Sequence, residues 1–183
     1  MDEKKFLPLI GVYDVFSALI ASKYFEGVFL SGYSFSASSY GLPDIGFLNW
    51  RDAVEISSRI RNVLPNIPLL VDIDDGFGDE TVAANTIQLL DHSSVSAVML
   101  EDQKRPRKCG HFEGKVLLPI DEYLIKLNAV LDVKKDIFII ARSDANTPEE
   151  GLERAIAYSE AGADGVMVEA CLLYTSPSPR DRG

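Results

Sequence analysis

The stretch LLVDIDDGFG, residues 69–78, passes from a short apolar run into acids and then into a glycine-containing turn. Asp72 and Asp74 are two residues apart, so in an extended strand their side chains lie on the same face. A same-face pair of carboxylates at the end of a buried strand can hold a hard divalent cation. A solvated strand end followed by a turn explains the same residues. The residues at the ends of the other strands therefore decide between the two interpretations.

Outward from this stretch, short apolar strands alternate with helices. The pattern predicts strands at residues 6–13, 27–30, 69–74, 95–100, 137–141 and 164–168, and helices at residues 15–24, 49–64, 79–90, 119–131 and 147–161. Residues 34–48 are rich in Ser and Gly and are predicted to form a loop. Thr147, followed by Pro148 and two acids, is a typical helix start, and Gly162 is the predicted stop. Apolar strands that alternate with helices are typical of a parallel sheet covered by helices.

Polar residues stand at the carboxyl end of nearly every predicted strand: Asp14, Ser31, Asp72 and Asp74, Glu101, Arg142 and Glu169. In a (β/α)₈ barrel of the TIM type those ends converge on one mouth, where the active site lies. A doubly wound sheet is the alternative, but no Gly-rich phosphate-binding turn follows the first strand. Six strands are visible where a barrel needs eight in roughly 250 residues. We therefore predict an incomplete barrel over residues 1–170.

Residues 171–183, CLLYTSPSPRDRG, abandon the alternating pattern abruptly. This string resembles the translation of a transposase adapter used in preparing sequencing libraries. We therefore predict a non-native tail after Ala170, the alternative being a natural tail rich in Pro and Ser. On the first interpretation the chain is the front two-thirds of a longer enzyme.

Composition excludes several classes of function. Of 183 residues, 46% are hydrophobic and 25% charged, which is typical of a globular protein. The net charge of −10 argues against a nucleic-acid partner and against an anionic membrane surface. The first nine residues lack a leader pattern, and no apolar run approaches the roughly 18 residues of a membrane span. The two cysteines provide no disulfide framework. We expect a soluble cytoplasmic protein.

Acids from several strand ends and loops can surround one cation. The candidate ligands, some direct and some acting through water, are Asp44, Asp72, Asp74 and Glu101. Mg²⁺ suits such a set because it is held by one or two carboxylates and keeps several waters and substrate oxygens. No Cys/His cluster supports zinc.

A second candidate feature is the basic segment KRPRKCGH, residues 104–111. Four cations and a histidine surround Cys109, which should favour its thiolate. A cysteine in a mobile loop can serve as a general acid or base after the loop closes. A solvated basic loop with an incidental cysteine is the alternative.

Two further strand ends carry candidate substrate contacts. Ser31, Gly32 and Tyr33 follow a strand directly, and such a turn offers N–H donors to an oxyanion, although a plain turn remains possible. Arg142 follows a buried apolar strand, so its guanidinium needs a partner, either a substrate carboxylate or Glu169.

Seven segments in order together resemble the isocitrate lyase/phosphoenolpyruvate mutase superfamily, from about residue 11 to residue 170. The segments are LSGY (30–33), GLPD (41–44), VDIDDGFG (71–78), LEDQ (100–103), KCGH (108–111), ARSD (141–144) and VEA (168–170). In that superfamily a TIM-type barrel binds a 2-oxo acid and Mg²⁺, or Mn²⁺ in its place. The family usually has Asp-Thr-Gly where this chain has Asp74-Asp75-Gly76, which adds charge near the metal.

The resemblance implies a role for each matching residue. It implies metal ligands at Asp72 and Asp74, assisted by Asp44 and Glu101, and substrate contacts at Ser31, Gly32, Tyr33, Gly110, Arg142 and Glu169. The implied catalytic residues are Cys109, Arg142 and Glu101, with Cys109 exchanging a proton with the enolate carbon. A homotetrameric parent enzyme acting on a small carboxylate is also implied.

The KCGH segment resembles that of the carbon–carbon lyases, such as methylisocitrate or dimethylmalate lyases. The mutase and phosphonopyruvate hydrolase branch resembles Lys-x-Asn in this loop, which is not found here. That branch, an activity on oxaloacetate, an inactive truncated fragment and a non-catalytic metal-binding homologue are the alternatives. Without the last two strands a sheet edge stays exposed.

Overall fold

The computed structural model describes residues 6–110, 112 and 114–169 of the chain. Strands and helices alternate through this part. In chain order they are β1 Leu9–Val12, α1 Val15–Ala21, β2 Gly27–Leu30, α2 Gly32–Tyr40, α3 Trp50–Val63, β3 Leu69–Asp72, α4 Glu80–His92, β4 Ala97–Glu101, α5 Ile120–Val133, β5 Phe138–Ser143, α6 Pro148–Glu160 and β6 Gly165–Val168. The predicted non-native tail lies outside the described residues, as do His111 and Ala170.

The six strands form one sheet in which sequence neighbours are also spatial neighbours and every pair is parallel. A doubly wound sheet reverses its strand order at a switch point, so this monotonic order excludes that alternative. The sheet is not closed, because the described residues supply six strands in the order β1 to β6. The prediction of an incomplete (β/α)₈-type barrel is therefore confirmed.

The core lies between the sheet and the surrounding helices. Apolar strand residues such as Leu69, Val71, Val98 and Leu100 are fully or almost fully buried. Helix residues at helical spacing, among them Ile60 in α3, pack onto them. The apolar residues whose helical spacing predicted these helices thus form the face that covers the sheet. No helix in the described ranges is both long and apolar enough to cross a membrane.

The start of helix α6 was predicted well, because its capping chemistry is local. Thr147 caps α6 by accepting the N–H of Glu150 at 3.2 Å, with Pro148 in the first turn. Gly162, with φ of +98°, follows the end of this helix as predicted.

The predicted loop at residues 34–48 is wrong over its first part, where α2 forms. Ser31 caps this helix by accepting the N–H of Ser34 at 3.3 Å. Gly41 ends it with φ of +65°. The helix is rich in serine and has little apolar periodicity, so the signal used for the other helices is missing here.

Candidate active site

The predicted acids are brought together at the carboxyl ends of β3 and β4. Asp72 is the last residue of β3, and Glu101 is the last residue of β4. The N–H of Glu101 donates to the carbonyl of Asp74 at 2.9 Å, which places these two residues side by side. The acid pair and Glu101 therefore lie at one edge of the sheet, as the strand pattern predicted.

Asp74 does not continue the strand, contrary to the extended geometry expected for residues 69–74. Its φ is +49°, and its N–H donates to Asp72 Oδ1 at 3.1 Å. Asp is one of the few residues besides Gly that adopt this left-handed conformation, and here the Asp72 carboxylate accepts the N–H of the turn. The two carboxylates nevertheless lie close to the same point beside Gly32. A Cβ built at Gly32 would be 3.3 Å from Asp72 Oδ2 and 3.3 Å from Asp74 Oδ1.

The segment Ser31, Gly32 and Tyr33 is a helix start rather than a plain turn. Ser31 is the N-cap of α2, and Gly32 and Tyr33 are its first two residues. The first N–H groups of a helix have no intrahelical partner and favour anions. Gly32 is buried against the acid pair, whereas the Tyr33 side chain is 57% exposed.

Arg107 occupies the centre of the acid cluster, a position that the sequence interpretation missed. Its side chain is 1% exposed and pairs with Glu101 and with Asp44. Its Nη1 also lies 3.3 Å from Asp74 Oδ1. Although burial alone lowers its pKa, the hydrogen bond to Glu101 and the neighbouring carboxylates raise the pKa of Arg107 above its ordinary value. The sequence interpretation had grouped this arginine only with the cations around Cys109.

Even with Arg107 present, it is unfavourable for every acid of the cluster to be ionised. Burial and the charge of Asp72 raise the pKa of Asp74 to about 8. Burial also raises the pKa of Asp72 and of Glu101 above their ordinary values. Asp74 Oδ1 is buried and lacks a hydrogen-bond partner in the described structure. Such a group favours a further cation or donor at this point.

The described residues contain no group of three or more His, Cys, Asp or Glu side chains arranged around a single metal position. Instead, three of the four predicted ligands surround the Arg107 guanidinium. A magnesium ion needs only one or two direct carboxylates, since waters and substrate oxygens complete its octahedron. The pair Asp72 and Asp74, with the orphan oxygen of Asp74, fits that requirement.

Arg142, in β5, is buried among acids. Its Nε and Nη2 both lie 2.9 Å from Asp144 Oδ1, and Nη2 lies 3.7 Å from Glu101 Oε2. Burial lowers the pKa of Arg142, but the charges of Asp144, Glu101 and Asp72 outweigh this effect and raise the pKa above its ordinary value. The sequence interpretation expected Glu169 or a substrate as the partner, and Asp144 is the residue it overlooked.

A buried network behind the site holds Asp144. Asp102 Oδ1 accepts the N–H of Asp144 at 3.0 Å. Asp102 Oδ2 accepts the hydroxyl of Tyr158 at 2.7 Å and Nη1 of Arg154 at 3.1 Å. Helix α6 therefore fixes the backbone next to Arg142 through one carboxylate.

The segment that carries Cys109 is folded over the site. The side-chain amide of Gln103 donates to the carbonyl of Lys108 and accepts its N–H, both at 2.8 Å. A Cβ added at Gly110 would lie 2.3 Å from Arg142 Nη2 and 3.0 Å from Glu169 Cγ. A side chain at position 110 would therefore have to displace the Arg142 guanidinium from its place beside Asp144. Cys109 is partly buried. It lies in the chain between Lys108, which Gln103 holds, and Gly110, which packs against Arg142.

A parallel sheet whose strand ends bear buried acids and arginines under a folded loop is typical of the active-site end of barrel enzymes. The sequence model of the phosphoenolpyruvate phosphomutase family matches residues 1–175. The chain belongs to this family, whose members lie in the isocitrate lyase/phosphoenolpyruvate mutase superfamily of lyases and mutases.

Two relatives show how similar the chain is to characterised proteins. It is 42% identical over 166 residues to the petal death protein of Dianthus caryophyllus, covering 87% of this chain and 52% of that protein. It is 40% identical over 177 residues to a 2-methylisocitrate lyase of Bacillus subtilis (strain 168), covering 93% of this chain and 57% of the enzyme. The chain thus spans little more than half the length of these relatives.

Two solved structures are also similar to this chain over little more than half of their own length. A 2,3-dimethylmalate lyase, 33% identical, superposes with a TM-score of 0.86 over 90% of this chain and 57% of that one. A phosphonopyruvate hydrolase in complex with oxalate and Mg²⁺, 27% identical, superposes with a TM-score of 0.79 over 92% of this chain and 59% of that one. The metal and oxalate belong to that complex.

Proposed function

We propose that this chain carries the front part of a magnesium-dependent carbon–carbon lyase acting on a 2-hydroxy di- or tricarboxylate. The observation that carries the proposal is the packing of Gly110, next to Cys109, against Arg142 and Glu169 beside the buried acid cluster. The similarity to a 2-methylisocitrate lyase and to a 2,3-dimethylmalate lyase supports this substrate class.

The buried charges of the site suit a substrate rich in carboxylates. Asp72 and Asp74 would hold Mg²⁺, with Asp44 and Glu101 acting through water. The ion, when bound, stabilises negative charge on substrate oxygens as a Lewis acid. Arg142 would bind a substrate carboxylate, because a guanidinium matches its two oxygens.

The remaining predicted substrate contacts would surround the same substrate position as the metal and Arg142. At the start of α2 the N–H groups of Gly32 and Tyr33, together with the Ser31 hydroxyl, would donate to a second anionic group of the substrate, because the N–H of Ser31 donates to the carbonyl of Val12. Gly110 and Glu169 would close the site on the side of the loop. With water excluded, these interactions are stronger than in an open cleft.

Cleavage requires two proton transfers. The hydroxyl group loses its proton as its oxygen becomes the carbonyl of a 2-oxo acid product, and we assign Glu101 to accept that proton. The bond between the two carbons breaks, and its electron pair stays on the other fragment as an enolate-type carbanion. The Cys109 thiol would donate a proton to that carbon. The products are a 2-oxo acid and a di- or monocarboxylate.

The complete enzyme in this proposal is longer than the chain, in keeping with the length of the relatives. It would close the barrel with two further strands and would form a homotetramer in the cytoplasm. On its own the 183-residue chain would then be inactive, because β1 and β6 present open strand edges in the described structure.

A second candidate is chemistry at a carbon–phosphorus bond, favoured by the match to the phosphoenolpyruvate phosphomutase family. Transfer of phosphorus between carbon and oxygen leaves no carbanion to protonate, whereas hydrolytic release of phosphate leaves an enolate whose carbon still needs a proton. The transfer reaction alone would therefore proceed without Cys109 as a proton donor, and the product released, phosphate or a 2-oxo acid from a hydroxy acid, distinguishes the other cases.

The test compares the full-length protein with its Cys109→Ser variant. With Mg²⁺ present, 2-methylisocitrate, 2,3-dimethylmalate and phosphonopyruvate are each supplied, and release of a 2-oxo acid or of phosphate is followed. We expect Mg²⁺-dependent pyruvate release from one of the first two, lowered about 10²–10⁴-fold by the substitution.

Binding of Mg²⁺, measured by calorimetry, serves as the control and should be unchanged in the variant. Wild-type turnover by Cys109→Ser would refute the role of the thiol. Phosphate release from phosphonopyruvate, without cleavage of either hydroxy acid, would favour the second candidate.

A further inference from the structure

Two cations in the loop before Cys109 have different partners. Residues 104–110 are here called the cysteine loop. Its start is held by the returning arm of the same β4–α5 connection, since the N–H of Lys104 donates to the carbonyl of Val116 at 2.8 Å and Gln103 pairs with Leu117. Arg107 turns into the acid cluster, whereas Arg105 turns to Asp75, on which the proposed function places no role.

The contact between Arg105 and Asp75 is bidentate. Nε of Arg105 donates to Asp75 Oδ2 and Nη2 donates to Asp75 Oδ1, both at 2.7 Å. The Asp75 side chain is 2% exposed and that of Arg105 is 38% exposed. Two parallel bonds fix the orientation of both groups as well as their separation. With one partner buried, the pair is screened less than a surface ion pair.

Asp75 is itself rigidly held. The buried amine of Lys126, in α5, donates to the carbonyl of Asp75 at 2.7 Å and to that of Gly78 at 2.8 Å. Asp75 Oδ1 also accepts the N–H of Phe77 at 3.2 Å. Asp75 is thus a fixed point on the same turn that carries the proposed metal ligand Asp74.

The pair joins the two parts of the site that must act together. Asp75 directly follows Asp74, and Arg105 lies four residues before Cys109. We propose that Asp75 and Arg105 are a positioning pair, which fixes the cysteine loop relative to the acid turn and so sets where the thiol meets the substrate. This inference rests on the proposed lyase function, and neither residue touches the substrate in it.

The proposal separates binding from turnover. Loss of the pair leaves Asp72, Asp74 and Arg142 in place, so Mg²⁺ affinity and KM should change little. The thiol would then be aligned in only a fraction of the complexes, so kcat should fall. A merely structural role would instead lower thermal stability and leave kcat per folded molecule unchanged.

The experiment uses the full-length protein with Asp75→Asn, Arg105→Gln and the double variant. Asp75→Asn keeps the shape and an oxygen that can accept from Phe77, and Arg105→Gln alters a partly exposed side chain that should not disturb folding. Lys104→Gln is the matched control, because it removes a neighbouring positive charge from an exposed side chain of the same loop. Arg105→Lys keeps the charge but loses the two-bond fork.

Two readouts are taken for each variant: amide hydrogen exchange of residues 104, 105 and 107–110, and kcat and KM with whichever substrate the screen proposed above identifies. Both single variants should speed exchange about tenfold or more and lower kcat about tenfold or more, with KM within about threefold. The double variant should match the worse single variant, Arg105→Lys should be intermediate, and Lys104→Gln should resemble wild type.

Exchange at the wild-type rate, an unchanged kcat, or additive losses in the double variant would each overturn the positioning role. If the full-length protein cleaves none of the substrates, the proposed function fails. The exchange data alone then decide whether the pair holds the loop, so the two failures are distinguishable.

Discussion

The hydroxyl of Tyr158 offers a test of the buried network that supports Arg142. Tyr158→Phe removes one oxygen and keeps the ring, which packs against Tyr123 with a centroid distance of 4.5 Å. The lost hydroxyl donates to Asp102 Oδ2 at 2.7 Å and accepts from Arg154 Nη1 at 3.1 Å. Both Tyr158 and Asp102 are fully buried, so water cannot replace the missing donor.

The magnitude follows from what Asp102 keeps. A hydrogen bond to a charged group contributes about 1.5–3 kcal/mol. Asp102 still accepts from Arg154 and from the N–H of Asp144, and Arg154 still donates to the carbonyl of Leu118 at 3.0 Å. The loss should therefore fall in the lower half of that range, about 1.5–2 kcal/mol. Since the chain spans little more than half the length of its relatives, the full-length protein has roughly 300 residues, and the loss corresponds to a fall in Tm of about 2–4 °C.

Thermal melting of the full-length protein, followed by circular dichroism, measures this effect. Tyr24→Phe is the matched control, because the Tyr24 side chain is 79% exposed. The melting temperature of this variant should equal that of the wild-type protein. A Tyr158→Phe variant that melts within about 1 °C of wild type would refute the inference that this hydroxyl stabilises the buried Asp102 carboxylate.

Two further predictions concern the loop and the sheet. Gly110→Ala should lower kcat/KM about 10–100-fold, because the added Cβ would lie 2.3 Å from Arg142 Nη2. Wild-type kinetics in the Gly110→Ala variant would contradict the close approach. Asp164→Asn tests a dependence of stability on pH. Burial raises the pKa of Asp164, but hydrogen bonds from the Ile139 N–H and from Lys134 leave that pKa below its ordinary value. A depressed folded pKa gives stability above the unfolded value, lost as pH falls through the folded one. The variant should thus be about 0.5–1 kcal/mol less stable at neutral pH, judged by urea unfolding, and a gap that persists in strong acid would disprove this account.

The sequence alone was enough to predict the alternating elements and the edge of the sheet where the site lies. Apolar runs define strands, helical spacing defines the faces that cover them, and caps such as Thr147 mark helix starts, all within a few residues. Helix α2 was missed because a serine-rich helix has little apolar periodicity. Its local evidence was limited to the cap at Ser31 and the left-handed glycine at its end.

Which side chains meet inside the site was decided by the tertiary structure. Arg107 pairs with Asp44, 63 residues away, and Arg105 pairs with Asp75, 30 residues away. The sequence identified all four of these residues as charged but gave no signal of their partners. Partners across such separations are set by how the strand ends converge and by which charges are buried together, because a buried charge must be compensated by whatever group the fold brings near it. The sequence therefore determined that acids and cations would gather at this edge, and the packing of the barrel decided which arginine reaches which carboxylate.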